Sequence, residues 1–377
     1  MGDDRKTARK IRIDKTRGLF THVTGCIDKM SAKKILGQYF TTRYTWLMPQ
    51  VEEFIVQSKC GVAYDPFAGQ GDLLQAVTGL GDIQKLNGLD IDPKLNWKLN
   101  DSLMGIPHIN NAIIITNPPY LAKFSAKRKK IADSLKHYYQ QSGFVDIYQL
   151  ALFNCLLSAE HVVAIIPETF INSRFPQRYR LAQLTVLEEN PFTDTENPVC
   201  VACFDGRIKP AAEIEVYKND SYIGSLGDLE KHRLIPRNNL DIRFNDINGQ
   251  IALRAVDSPD PRSPIRFLPR SELVYDLKSI KDSSRLITLI SLSAEWDEAI
   301  PQIIQISNNV LSEFRQITHD ILLSPFKGNK KDGERRRRLD YKSARAILEK
   351  AMGATGLLKG NFKESYYEEK ESLLNQR

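Results

Sequence analysis

Four consecutive residues, Asn117-Pro118-Pro119-Tyr120, carry the most specific chemistry in this 377-residue chain. The two prolines remove two backbone donors and stiffen the segment, leaving its carbonyls as acceptors. Asn117 adds a side-chain carbonyl oxygen, and Tyr120 a flat aromatic face. Such a set suits a planar exocyclic amine whose two hydrogens are accepted by oxygens while a ring stacks on its plane. A proline-rich exit from a strand would use the same residue types without chemistry. What precedes the tetrapeptide decides between the two.

Upstream lies Asp65-Pro66-Phe67-Ala68-Gly69-Gln70-Gly71-Asp72. Gly69 and Gly71 allow a sharp turn and close approach to a ligand, and a helix starting at Asp72 offers backbone N–H groups. Alone, this would read as an ordinary tight turn. About twenty residues on, Gly88-Leu89-Asp90-Ile91-Asp92-Pro93 puts an acid at a strand end, where ribose hydroxyls would be met. Asp90 is the choice for that role and Asp92 reads as a solvated turn residue. Asp101, in Asn100-Asp101-Ser102-Leu103, is either a partner for an adenine amino group or a helix N-cap.

These residues need a frame. Strands are expected over 61–64, 85–91, 112–116 and 161–167, and helices from Asp72 and over 144–158. Ala112-Ile113-Ile114-Ile115-Thr116 is apolar without alternation, as in a strand buried on both faces. Strand–helix repetition predicts an α/β fold with a doubly wound, mostly parallel sheet, which binds ligands at the carboxyl ends of its strands. After Phe204 the pattern changes to short strand candidates (213–217, 251–256), turns rich in Asn, Asp, Gly and Pro, and periodic helices between about 298 and 323. A basic arm over 1–25, a catalytic domain over 26–208 and a second, α+β domain over 209–377 are expected.

With these motifs in this order, the chain resembles S-adenosylmethionine-dependent DNA adenine-N6 methyltransferases of the gamma, or TaqI-like, class. Gly37-Gln38-Tyr39-Phe40-Thr41-Thr42 resembles that family's N-terminal cofactor motif. The Asp65–Gly71 turn, the Gly88–Pro93 segment and Asp101 resemble its other cofactor motifs, and Asn117–Tyr120 its catalytic motif. Phe192, followed by the 199–204 run, resembles the segment that gives the target base a second aromatic face. The resemblance spans roughly residues 30–204. It implies a class I, Rossmann-like methyltransferase binding S-adenosylmethionine through Tyr39, Phe40, Thr41, Asp65, Pro66, Ala68, Gly69, Gly71, Asp90, Ile91, Asp101, Ser102 and Asn117. Catalysis would fall to Asn117, Pro118, Pro119, Tyr120 and Phe192, and target recognition to the C-terminal domain. It further implies a monomer acting on double-stranded DNA, as the modification half of a type II restriction-modification system with a cognate endonuclease.

Composition permits this without requiring it. The chain is 42% hydrophobic and 26% charged, and 53 Lys+Arg against 46 Asp+Glu give a net charge of +7. No run reaches the 18–20 apolar residues of a membrane span, so a cytoplasmic protein is expected. Five scattered cysteines argue against a disulfide framework, and Cys200 and Cys203 fall on opposite faces of an apparent buried strand, which disfavours a metal site. The basic excess gathers in the N-terminal arm, in Lys127-Arg128-Lys129-Lys130, and in 327–338, which ends in Arg335-Arg336-Arg337-Arg338. Each reads either as a phosphate-contacting patch or as a solvated segment. Cytosine-N4, protein glutamine-N5 or RNA amine transfer are the alternative enzyme readings. A catalytically silent DNA-binding protein is the alternative outside enzymes.

Overall fold

The computed structural model describes residues 44–122, 135–192, 195–273 and 286–357. The chain forms two compact units. The first runs to Ile166 and adds 191–195 and 201–207; the second holds 167–190, 196–200 and the chain from Ile208.

The first unit begins with a helix, α1 (Pro49–Gln57), with proline in its first turn, where a missing N–H costs nothing. Strands β1 (Val62–Asp65), β2 (Lys85–Asp90), β3 (Lys98–Leu99), β4 (Ala112–Thr116) and β5 (His161–Pro167) follow, and β7 (Val199–Phe204) joins them after the intervening β6 (Leu181–Val186). The order is β3-β2-β1-β4-β5-β7. Every pairing from β3 to β5 is parallel, with Val62 opposite Lys85 on one side and Ala112 on the other. All five residues of β4 are buried, as its unbroken apolar run requires when both faces are covered. The order reverses direction between β1 and β4. This is the doubly wound, mostly parallel α/β sheet expected.

Two local signals set the helices. Gly71, at φ 87°, opens α2 (Asp72–Ala76) from the left-handed region, which a side chain would strain. The helix expected from Phe144 starts at Ile147 instead: Gly143, at φ 72°, closes α3 (Lys136–Ser142), and the Asp146 carboxylate caps α4 (Ile147–Ser158) by accepting from Tyr148 N. Burial pushes the Asp146 carboxyl up to about 6 despite the backbone N–H groups bonded to it.

In the second unit β6 pairs parallel with β8 (Glu215–Lys218), which runs antiparallel to β9 (Ser221–Ser225) and leads to α5 (Leu226–Lys231). A separate antiparallel sheet orders β10 (Ile242–Phe244), β13 (Ile287–Leu292), β11 (Ile251–Arg254) and β12 (Arg266–Pro269) as β10-β13-β11-β12. Helix α6 (Ile300–Ile317) covers it with Ile303, Val310 and Phe314, beside α7 (Tyr341–Ala354), and β14 (Ser324–Asn329) pairs with β15 (Arg335–Arg338) as a hairpin. No helix among the described residues is long and apolar enough to cross a membrane.

Candidate active site

Three residues singled out from sequence stand at the carboxyl ends of adjacent strands. Asp65 closes β1, Asp90 closes β2, and Asn117 follows β4. This is the edge where a sheet of this kind receives ligands, beside the reversal of strand order.

Asp65 is almost fully buried, and its Oδ1 accepts from Phe67 N (2.9 Å) and from the Thr116 hydroxyl (2.6 Å), tying the ends of β1 and β4 together. Burial raises its carboxyl to about 7; those two hydrogen bonds hold it lower than burial alone would, and the nearby Asp90 charge pushes it up. Asp90 Oδ2 accepts from Gly69 N (2.9 Å) and Oδ1 from Asp92 N (2.8 Å). Its pKa is raised by burial and opposed by these backbone bonds. The acid at the end of β2 therefore shapes the Gly-rich turn as well as facing the ligand edge. Ile91 beside it is half-buried.

The Gly-rich turn is fixed from several sides. Gly71 N donates to Ala68 O (2.7 Å) and Ala68 N to Leu89 O (2.9 Å). The buried Ser102 hydroxyl donates to Pro66 O (2.6 Å) and accepts from the Asn100 amide. Ser102 is thereby committed to holding the turn.

Trp97, which sequence reasoning passed over, donates its indole N–H to Gly69 O (2.9 Å). A Cβ at Gly71 would lie 2.8 Å from the Trp97 ring, and one at Gly88 2.4 Å from it. Both glycines make room for an indole, a cause the spacing alone did not reveal. The signal that could have found it is a tryptophan in an otherwise polar connection.

No helix follows Asp101. Its Oδ1 accepts from Leu103 N (3.2 Å) in a turn, and its Oδ2 accepts from the Tyr138 hydroxyl (2.7 Å), a partner on α3 not foreseen. Of the two expectations for Asp101, the helix N-cap is therefore not what the fold uses.

Beyond β4, Pro118 and Tyr120 are buried while Asn117 and Pro119 are half-buried. The Tyr120 hydroxyl is directed at two acceptors, Asn117 Oδ1 and, 2.7 Å away, Ile165 O of β5. Phe192 packs against the same ring edge-on, with centroids 6.2 Å apart and planes at 63°. The two aromatic residues read 72 positions apart in sequence thus come together beside Asn117.

Other expectations fall elsewhere. Tyr39, Phe40, Thr41, the basic arm and Lys127, Arg128, Lys129 and Lys130 lie outside the described residues. Cys200 and Cys203 are buried in β7 and form no disulfide, and among the described residues no cluster of side chains could hold a metal ion. The four arginines of the basic run form β15, and strand alternation splits them. Arg335 and Arg337 point inward, 4% and 1% exposed, and Arg337 is ion-paired with the buried Glu168. Neither can reach a phosphate from there, which corrects their place among the expected DNA contacts. Arg336 and Arg338 are half-exposed, Arg336 lying over the Phe326 ring.

No protein-family pattern and no curated protein matches the chain. Among solved structures it is similar to a protein assigned as a class I S-adenosylmethionine-dependent methyltransferase from Listeria monocytogenes, at 15% identity over 57% of this chain and 74% of that one, TM-score 0.36. It is similar also to the methyltransferase subunit of a type I restriction-modification system from Streptococcus thermophilus, at 16% identity over 48% of this chain and 46% of that one, TM-score 0.34. A third is the M protein of the type I restriction enzyme EcoKI, at 12% identity over 73% and 71%, TM-score 0.29. Likenesses this distant carry no argument about function, which rests on the residues themselves.

Proposed function

We propose that this chain transfers a methyl group from S-adenosylmethionine to N6 of an adenine flipped out of double-stranded DNA. The observation that carries the reading is the grouping of Asn117, Tyr120 and Phe192 after β4, one strand from the Asp65–Gly71 turn and two from Asp90. The cradle suits the cofactor by the chemistry of its groups. Asp90 and Asp101 offer carboxylates for hydroxyl and amino hydrogens, Asp65 offers negative charge once ionised, and Gly69 keeps the backbone close. When bound, S-adenosylmethionine supplies a methyl on a sulfonium, already a good electrophile.

What this chain must supply is the nucleophile. Adenine N6 is planar because its lone pair is delocalised into the ring. Asn117 Oδ1 and the Pro118 carbonyl would accept its two hydrogens and favour a more tetrahedral nitrogen with its lone pair directed at the methyl. The gain is orientation and preorganised electrostatics, with no strong general base needed. An extruded base costs a few kcal/mol in lost stacking and pairing. Tyr120 and Phe192 would return part of it, on the scale of about 1–3 kcal/mol per stacked base.

The test is transfer of tritiated methyl to DNA of varied sequence, followed by digestion to nucleosides. Labelled N6-methyladenine is expected; labelled N4-methylcytosine would move the acceptor to the other exocyclic amine of DNA, and label on RNA or protein alone would remove DNA altogether. Asn117→Ala should lower transfer at least a thousandfold while cofactor binding stays within a few-fold. Turnover near wild type in that variant would sink the mechanism.

A further inference from the structure

Asp101 stands two residues past β3, beside the acid that closes β2: Leu99 lies opposite Asp90 in the sheet, and Asn100 N donates to Asp90 O (2.9 Å). The backbone of its turn is tied from α4, where the Asn154 amide donates to Ser102 O (3.0 Å) and Leu103 O (2.9 Å). What the backbone leaves open is the rotation of the carboxylate, a broad, two-fold torsion. Two donors settle it. Leu103 N reaches Oδ1 at 3.2 Å, and the Tyr138 hydroxyl reaches Oδ2 at 2.7 Å, the short approach of an O–H to a charged acceptor.

The Tyr138 phenol comes from α3, and its neighbour fixes that helix. The Tyr139 hydroxyl donates to Leu121 O (2.7 Å), which also accepts from Ile147 N (3.2 Å) at the start of α4. Both rings are buried in one apolar cluster with Leu121, Leu135 and Ile147, and Leu103 packs against it. A buried phenol needs an acceptor, and a backbone carbonyl would serve, as Leu121 O does for Tyr139. Tyr138, 7% exposed, meets a carboxylate at the ligand edge instead.

We propose that the Tyr138 hydroxyl is a positioning group of the cofactor site: with Leu103 N it holds the Asp101 carboxylate in one orientation, so that acceptors alone face the amino group of the cofactor's adenine. This rests on the reading above, in which that carboxylate receives an amino hydrogen. Among the described residues each Asp101 oxygen accepts one hydrogen from another side chain or backbone group, and a carboxylate oxygen can accept two. Hypoxanthine, with a carbonyl where adenine has its amino group, would set oxygen against oxygen. A side chain that pins the carboxylate therefore sharpens which base the site takes.

Calorimetric binding of S-adenosylhomocysteine, and of its analogue with hypoxanthine in place of adenine, tests this. The unmodified protein should favour the adenine form by about fiftyfold or more, the scale for a site built around a hydrogen-bonding group. Tyr138→Phe keeps the ring in the cluster and removes the one donor. Its preference should fall about fivefold or more, through weaker binding of the adenine form. Tyr139→Phe removes the other phenol of the same helix and should keep the preference within about twofold. Equal losses in the two variants would make the effect one of packing, and an unchanged preference in Tyr138→Phe would take the hydroxyl out of the site; either overturns the proposal. Equal binding of the two bases by the unmodified protein overturns it whether or not the variants fold. A fluorine probe that keeps the hydroxyl, 3-fluorotyrosine placed at Tyr138, should give a resonance that moves with the adenine form and stays with the hypoxanthine form. An unmoved resonance also overturns it. Methylation of adenine in DNA without the base preference would leave the proposed function standing and this proposal refuted; the preference without DNA methylation would do the reverse.

Discussion

Asp65 sets burial against charge at a single residue. Its carboxyl is raised to about 7, first by burial, against the hydrogen bonds from Thr116 and Phe67 N that favour the ionised form. The native pKa lies above the unfolded one, so between about pH 4 and 7 the folded chain holds a proton that the unfolded chain releases. Stability should therefore decline as pH rises through that window and level off above it. Asp65→Asn keeps an acceptor for both donors and removes the ionisation, so its loss of stability over the same range should be smaller. Denaturant titrations of both proteins at pH 5 and 8 measure the difference, and parallel curves would refute the assignment. Under the proposed function, a cationic cofactor should draw the proton off Asp65. Its affinity should then rise with pH through about 7 and its binding release a proton, seen as a calorimetric heat that depends on the buffer. Which residues were legible follows from range. Asp65, Asp90 and Asn117 announce themselves because each sits in a short motif at a strand end. Trp97 reaches Gly69 across 28 positions and Tyr138 reaches Asp101 across 37, and nothing local marks either. Gly88→Ala tests the first: the methyl would meet the indole, at a cost of about 1–3 kcal/mol, and Trp97→Ala should relieve most of it. Additive losses in that double-mutant cycle would mean that the two do not touch.

At the scale of elements, the β14–β15 hairpin shows why four like charges in a row can mislead. A strand sends alternate side chains to opposite faces, so a run of one residue type hides the split that alternating polar and apolar residues would display. Glu168, which receives Arg337, is 169 residues away, and only the fold brings them together. Glu168 is fully buried, with Arg335 Nε 4.0 Å from its Oε2. Burial lowers the Arg335 pKa, and the Glu168 charge opposes that shift. Removing Glu168 would leave the Arg337 and Arg335 guanidinium groups buried without its charge. Glu168→Ala should accordingly cost about 3–5 kcal/mol, the usual penalty for breaking a buried pair. Arg336→Ala, on the outer face, should cost under about 1 kcal/mol. Thermal unfolding of the two variants separates them, and equal losses would contradict the inward placement of Arg337. The parallel sheet was more legible than this hairpin, because unbroken apolar runs such as 112–116 and 161–167 allow few other arrangements. The helix starting at Ile147 was displaced from expectation by a cap, Asp146, that competes with the apolar periodicity of Phe144.

For the molecule as a whole, a net charge of +7 is too small to identify a polyanion as the partner, and its placement matters more. The 327–338 segment holds seven basic and two acidic residues, but the fold uses two of the arginines internally, and Lys330 is paired with Glu334. Its capacity for phosphates is thus smaller than its composition suggests, and rests on Lys327, Lys331, Arg336 and Arg338. The Lys127–Lys130 group follows the Asn117–Tyr120 tetrapeptide by seven residues and is unbroken by acids. If DNA is the substrate, each cation that displaces a counterion contributes about 0.9 to the slope of log K against log salt. Replacing Lys127, Arg128, Lys129 and Lys130 by glutamine should flatten that slope by about 2–4, weakening binding without changing which sequence is methylated. Arg336→Gln with Arg338→Gln should flatten it by no more than about 2. Two results would count against this division of labour. An unchanged slope in the first variant would remove the 127–130 group from the interface, and a change of sequence preference in either would mean that the altered side chains read bases.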